Sequence, residues 1–110
     1  MAIAKIQRNG GLTLSRRLCA LAEDRGVELM GSGLTDSDLG LAASLHLFAA
    51  YGIDSPVDLN DRQFIGSPYA ARTVVVEKGT ARVPESPGLG VEVDESVVRQ
   101  LAVDVLERRG

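Results

Sequence analysis

The chain has 110 residues, 45% hydrophobic but only 4% aromatic, with one cysteine and a formal net charge of -3. That length holds one small domain with a core of Leu, Val, Ile and Ala, and the acidic balance speaks against a nucleic-acid partner, which needs clustered Lys and Arg. The lone Cys19 excludes an internal disulfide and fits a reducing cytoplasm, and no run reaches the ~18 apolar residues that span a membrane.

Residues 2–6 are a short apolar run interrupted by Lys5, read as a strand ending in a polar loop. Met1-Ala2-Ile3-Ala4-Lys5 has no charged region ahead of an apolar one, so it is not read as a secretory signal. After Gly10-Gly11, residues 12–25 read as a helix with Leu14, Leu18, Leu21 and Ala22 on one apolar stripe. Arg16-Arg17 and, at the tail, Arg108-Arg109 read as solvated helix ends. Gly26 stops the first helix. Residues 27–30 read as a second strand, and Gly31-Ser32-Gly33 as a flexible loop. Asp36 is placed to cap the next helix, residues 37–51, which is apolar on most faces and therefore expected to be buried. Residues 56–59 read as a third strand. Strand-helix-strand-helix-strand with short connections predicts parallel βα units.

The pattern then changes. Residues 73–77 and 81–84 flank Lys78-Gly79-Thr80 and read as a hairpin. Residues 84–90 form a Pro/Gly loop, and Asp94 opens an amphipathic helix carrying Val97, Val98, Leu101, Val105 and Leu106. Three parallel strands and two helices do not make a closed sheet, because strands buried on both faces need neighbours on both edges.

Several residues carry candidate chemistry. Lys5 lies within an apolar strand next to its C-terminal loop. A partly buried lysine holds its proton less firmly and can act as a base; on the residues alone, a lysine snorkelling from an edge strand is the favoured reading. Asp58 and Asn60 stand at the end of the third strand, as acidic or polar groups for a ligand or as a polar strand end. Ser32 and Thr35 lie in the loop before the second long helix, where backbone N–H groups could hold an anion. That loop mimics half of a dinucleotide fingerprint, but the third glycine is Asp36, and a carboxylate facing a pyrophosphate excludes it. His46 and Cys19 fall in helix interiors and read as packed side chains. No Cys pair or His pair with zinc spacing occurs.

Three stretches occur in an informative order: Lys5-Ile6-Gln7-Arg8-Asn9-Gly10-Gly11, Gly40-Leu41-Ala42-Ala43-Ser44-Leu45-His46-Leu47, and Pro87-Gly88-Leu89-Gly90-Val91-Glu92-Val93-Asp94-Glu95. Over residues 2–98 the chain resembles the carboxyl end of the enolase superfamily, of the mandelate racemase/muconate lactonizing enzyme type, in its muconate-cycloisomerase-like and dipeptide-epimerase-like branch. The resemblance implies an α/β fold: the last three βα units of a (β/α) barrel plus a C-terminal hairpin and helix belonging to a capping domain, an incomplete barrel. It divides the chain into residues 1–65, the barrel part, and 66–110, the return to the cap.

The resemblance also reverses the reading of Lys5, which falls where the family carries a lysine that exchanges a proton next to a carboxylate. Arg8 occupies a place that is often a second lysine. Asp58 and Asn60, with Ser32 and Thr35, would meet the variable part of a small carboxylate substrate. Asp58-Leu59-Asn60 is half of the Asp-x-Asp with which dipeptide epimerases grip an ammonium group. Mg²⁺ in the complete enzyme would stabilise the enolate on the way to racemisation, cycloisomerisation or dehydration (isomerase or lyase chemistry). Its ligands belong to barrel strands that no part of this chain matches, so no metal ligand is assigned here and the chain alone is not expected to bind Mg²⁺. The implied partners are a missing N-terminal half of the same enzyme or further copies in a homo-oligomer. The alternative is a truncated, inactive chain acting only through association.

Overall fold

The chain leaves its first strand at Lys5 because the backbone turns there: the N–H groups of Arg8 and Asn9 both donate to the Lys5 carbonyl, at 3.1 and 2.9 Å. Strand β1 therefore covers Ala2–Ala4, two residues short of the expected end. A computed structural model describes residues 1–60, 64, 70–72, 74–104 and 106. In it β1, β2 (Leu29–Thr35) and β3 (Asp58–Asn60) form one sheet in that order, with both pairings parallel. Helices α1 (Leu12–Asp24) and α2 (Asp38–Ala50) make the two crossovers, so the alternation of strands and helices, and the parallel arrangement it demands, stand as read.

Helix α1 keeps Leu18 and Ala22 of the expected stripe against the core but is rotated so that Leu14 and Leu21 leave it. Its buried residues are Ser15, Cys19 and Ala22, while Leu14 and Leu21 are half exposed. Small side chains on the inner face let the helix approach the sheet closely, and the leucines stand to its sides. Both helices stop in the same way. Gly26 and Gly52 take positive φ (62° and 58°). Val27 N–H then reaches back to Ala22 O, and Ile53 N–H to Phe48 O, at 2.8 and 2.9 Å. This closure satisfies the last helical carbonyls and needs the left-handed residue that glycine supplies.

Strand β2 is longer than the sequence suggested. Residues 31–35, expected as a loop, continue the strand, with a register shift between Ser32 and Thr35. The glycine here serves close packing rather than flexibility. A Cβ on Gly31 would lie 2.7 Å from the Phe48 ring and 2.8 Å from Val57, so glycine lets α2 and β3 close over the strand. The cap of α2 is also one residue later than expected. Ser37 Oγ accepts from Gly40 N–H at 3.3 Å, and Asp36 is left to another role.

Helix α2 is buried on most faces, as its composition implied. Ala43, Leu47 and Phe48 pack with Ala4, Ile6 and Cys19. Leu41, Ala42 and Leu45 pack with Val74, and against these sit Val83, Leu89 and Val91 of the returning chain. That return holds the expected hairpin, in shorter form: β5 (Val76–Glu77) pairs antiparallel with β6 (Thr80–Ala81) around Lys78 and Gly79, both at positive φ. Thr73 lies outside the described residues. A second antiparallel pair, β4 (Ala70–Arg72) with β7 (Glu92–Val93), was not foreseen. Helix α3 (Glu95–Leu101) starts where expected, with Asp94 accepting from Ser96 N–H at 2.9 Å. The Ser96 hydroxyl, and then the N–H groups of Val97 and Ser96, donate to the Asp94 carboxyl and hold it below its ordinary pKa. The helix ends at Leu101, before the exposed Leu106; Val105 lies outside the described residues.

The rotation of α1 has a measurable consequence. Leu41 is 1% exposed and Leu14 49%. Leu41→Ala should therefore destabilise the chain by about 2–5 kcal/mol, and Leu14→Ala by less than about 1 kcal/mol. Urea denaturation followed by circular dichroism measures both, and equal losses would restore the stripe the sequence suggested.

Candidate active site

Alternation along each strand sorts the side chains to the two faces of the sheet. Ala4 and Ile6 are buried against the helices, which sends the intervening Lys5 to the opposite face. Gly31 faces Phe48, so Ser32 is turned away from α2. Val57 and Leu59 pack on the helical side, which leaves Asp58 and Asn60, two residues apart, together on the other. The register joins these positions. Ala4 pairs with Gly31 and Ser32 with Asp58. Lys5 follows one residue beyond the last paired position of β1, next to the strands that carry the Ser32–Asp58 pair.

Lys5 is half-buried, and its Nζ donates to the Gly33 carbonyl at 3.3 Å. Ser32 is buried, whereas Asp58 is exposed and Asn60 half-buried. Thr35 is exposed, further along β2, paired with Asn60 beyond the register shift. Arg8 is exposed in the turn after β1. The fold thus brings together Lys5, Ser32 and Asp58 and sets Thr35 and Asn60 at the strand ends. Ser32 and Thr35 do so from a strand, which removes the anion-cradling loop expected there. His46 stays out of the site, its Nε2 3.3 Å from the Leu89 carbonyl on the returning chain. Cys19 is fully buried, and burial, then the charge of Glu23, pushes its thiol pKa up, so it is inert.

Asp36 and Gln7 meet beside Gly40, at the end of β2 and the start of α2, and were not read as site residues. Asp36 is only 2% exposed. A Cβ on Gly33 would lie 2.7 Å from Asp36 Oδ2, and one on Gly40 would lie 2.7 Å from Gln7 Nε2 and 3.3 Å from Asp36 Cβ. The two glycines thus make room for the carboxylate and the amide. Burial raises the Asp36 pKa, opposed by the Gln7 amide, the Leu34 N–H and the charge of Lys5. Neither oxygen of Asp36 has a full hydrogen-bond partner, and desolvation outweighs the opposing influences. The available signal was the neighbouring pair Asp36-Ser37: either could cap α2, and the one that does not becomes a buried carboxyl group.

The resemblance read from the sequence implies a divalent metal in the complete enzyme. Among the described residues no group of three or more His, Cys, Asp or Glu converges to hold one, so these residues do not fit a metal and no step runs through one here.

The sequence matches the enolase C-terminal domain-like family over residues 1–97, and the chain belongs to that family. Muconate cycloisomerase 1-1 of Acinetobacter lwoffii is 32% identical over 103 residues, covering 93% of this chain and 27% of that protein. The L-Lys-D/L-Arg epimerase of Methylococcus capsulatus is 33% identical over 87 residues, covering 79% of this chain and 24% of its own length. Among solved structures, the dipeptide epimerase from Methylococcus capsulatus complexed with Mg ion has a TM-score of 0.73 at 32% identity, over 83% of this chain and 26% of that one. The chain spans about a quarter of the length of the relatives it matches.

The buried carboxyl of Asp36 carries a pH signature. Its folded pKa is raised from 3.8, so the folded state binds more protons above that pH than the unfolded state does. Its contribution is therefore most favourable below 3.8 and declines as pH rises toward the folded pKa. Asp36→Asn should remove that part of the decline and leave the variant at least as stable as the parent at neutral pH. Denaturation midpoints across acid to neutral pH test this; an unchanged slope would show that the carboxyl is already solvated.

Proposed function

We propose that this chain supplies the acid/base lysine and part of the substrate-facing wall of an isomerase that moves a proton alpha to a carboxylate. The observation that supports the reading is that Lys5 follows directly on the C-terminal end of β1, its ammonium on the Gly33 carbonyl of β2, while Ser32 pairs with Asp58 on the neighbouring strands. In parallel α/β enzymes, catalytic groups gather at this end of the strands. Membership of the enolase C-terminal domain-like family, with relatives named as cycloisomerases and epimerases, supports an isomerase-type reaction.

Each residue then has a role. Lys5 takes the proton from, or returns it to, the carbon next to the substrate carboxylate, and the Gly33 carbonyl orients its ammonium between turnovers. Ser32, Thr35, Asp58 and Asn60 meet the variable part of a small carboxylate substrate. Racemisation, cycloisomerisation and dehydration share the first proton removal, and the wall residues would choose among them. Having only the first acid of an Asp-x-Asp, the site is less suited to an amino-acyl ammonium group.

Mg²⁺ would stabilise the enolate, held by residues outside this chain. Among the described residues β1 and β3 each pair only with β2, and their outer edges are where the remaining barrel strands, or a further copy, would join. Residues 1–65 are taken as the barrel part and 66–110 as the return to a capping domain. The packing of Val74, Val83, Leu89 and Val91 against α2 supports that return. A cytoplasmic setting suits the buried free thiol. The second reading, an inactive chain that acts only by association, rests on the same open edges and predicts no turnover in the assembled protein.

The test is deuterium exchange at the alpha carbon of a panel of small carboxylates, with this chain assembled with the polypeptide that completes the barrel. Lys5→Ala should slow exchange by about 10²–10⁴-fold, the usual contribution of a positioned acid/base group, with the fold intact. Arg8→Ala, exposed in the turn, should have far less effect. Unaltered exchange in Lys5→Ala would return Lys5 to the role of a snorkelling surface residue.

A further inference from the structure

Beyond β1 the molecule is open in both of its layers. Among the described residues β1 pairs only with β2. Ala2 N–H donates to the Glu28 carbonyl at 2.7 Å. Backbone groups alternate in direction along a strand, so the N–H and C=O of the next residue, Ile3, point to the free edge. The Ile3 side chain stands on the face away from the helices and is 46% exposed. Helix α1 continues this open side above the sheet. It turns Ser15, Cys19 and Ala22 inward, and Leu12 and Arg16 line the groove it shares with α2. Leu14, Leu18 and Leu21, spaced i, i+4 and i+7, therefore form a stripe on the flank turned from α2, toward the free edge of β1. Leu14 and Leu21 are 49% and 55% exposed. Arg17 and Asp24, both exposed, border the stripe on its outer side. The β3 side differs, because the returning chain packs Val74, Leu89 and Val91 against α2 there.

We propose that the β1 side binds a second copy of this chain across a two-fold axis, β1 antiparallel to β1 and α1 antiparallel to α1. An antiparallel pair centred on Ile3 lets each Ile3 donate to and accept from its counterpart, and it sets the two exposed side chains against each other. The spacing closes in the layer above. Strands pair about 4.8 Å apart, so each α1, lying over its own β1–β2 pair, stands about 5 Å from the axis. The two helices are then about 10 Å apart, the separation of packed helices. Charge selects the orientation. Antiparallel helices that cross at Leu18 and Leu21 set Arg17 of one copy beside Asp24 of the other, twice, whereas parallel ones would oppose like charges. The contact is isologous and closes on itself, giving a dimer and not a fibre. It needs no substrate and does not rest on the acid/base role of Lys5.

The experiment is sedimentation equilibrium of the 110-residue chain. The parent should have twice the 11.7 kDa mass of one chain. Ile3→Pro removes an N–H that β2 does not use, so the mass should fall to one chain with the circular dichroism unchanged; Leu21→Lys should do the same. Asp24→Arg should weaken association about tenfold, the loss of two rim pairs, and Arg17→Asp with Asp24→Arg should restore it. Ile3→Cys, oxidised by glutathione disulfide, should cross-link two chains through residue 3, since directly opposed residues of such a pair have Cα atoms about 5.5 Å apart, within disulfide reach. A dimer that survives both Ile3→Pro and Leu21→Lys, or a dimeric Ile3→Cys that does not cross-link, would overturn the proposal. So would a parent that stays monomeric and associates only with the polypeptide that completes the barrel.

Discussion

The site depends on the parallel register of β1, β2 and β3. Parallel strands joined by right-handed helical crossovers point their C-terminal ends the same way and keep the helices on one face. Lys5, Ser32 and Asp58 are distant in sequence, yet the pairings of Ala4 with Gly31 and of Ser32 with Asp58 bring them to neighbouring strands. A slip of one residue in either pairing would turn a charged side chain into the apolar layer beneath α1 and α2. The core of Ala4, Ile6, Cys19, Ala43, Leu47 and Phe48 therefore guards the register as well as the fold.

The central strand bears the tightest steric demand. Gly31 admits Phe48 and Val57 on the helical side, and Gly33 admits Asp36 and Leu59. Any side chain at either position would push α2 or β3 outward, and with β3 the Ser32–Asp58 pair. Two glycines that read as flexibility in the sequence are thus points of close contact. Helix α2 answers the same demand from its other side. Its second apolar face packs with Val74, Leu89 and Val91, so the returning chain is fastened to the helix that covers the sheet, and His46 adds a polar tie to Leu89.

At the strand ends, desolvation and charge work against each other. Burial disfavours the ionised form of Asp36, while Gln7, the Leu34 N–H and Lys5 favour it. Lys5 is half-buried, with its ammonium on the Gly33 carbonyl. The contrast between a buried acid and a half-buried base suits a site where one group stays fixed and the other meets a ligand.

The order of elements, the parallel sheet, the buried second helix, the hairpin and the start of α3 were legible in the sequence. Apolar spacing, Gly stops and the Asp94 cap are local signals, and local geometry obeys them. The three motifs likewise pointed to the family before any coordinates. What the sequence left undecided were quantities set by neighbours far along the chain. The inner face of α1 went to Ser15, Cys19 and Ala22 because close approach to the sheet favours small side chains over the leucines that periodicity highlights. Residues 31–35 became strand because Phe48, Val57 and Leu59 close over glycines. Asp36 became a buried carboxyl between Gly33 and Gly40 because Ser37 took the cap. Periodicity reports which residues prefer burial. Which of them are buried, and which charges meet, is decided by the volume left when strands and helices pack, and only the tertiary structure sets that volume.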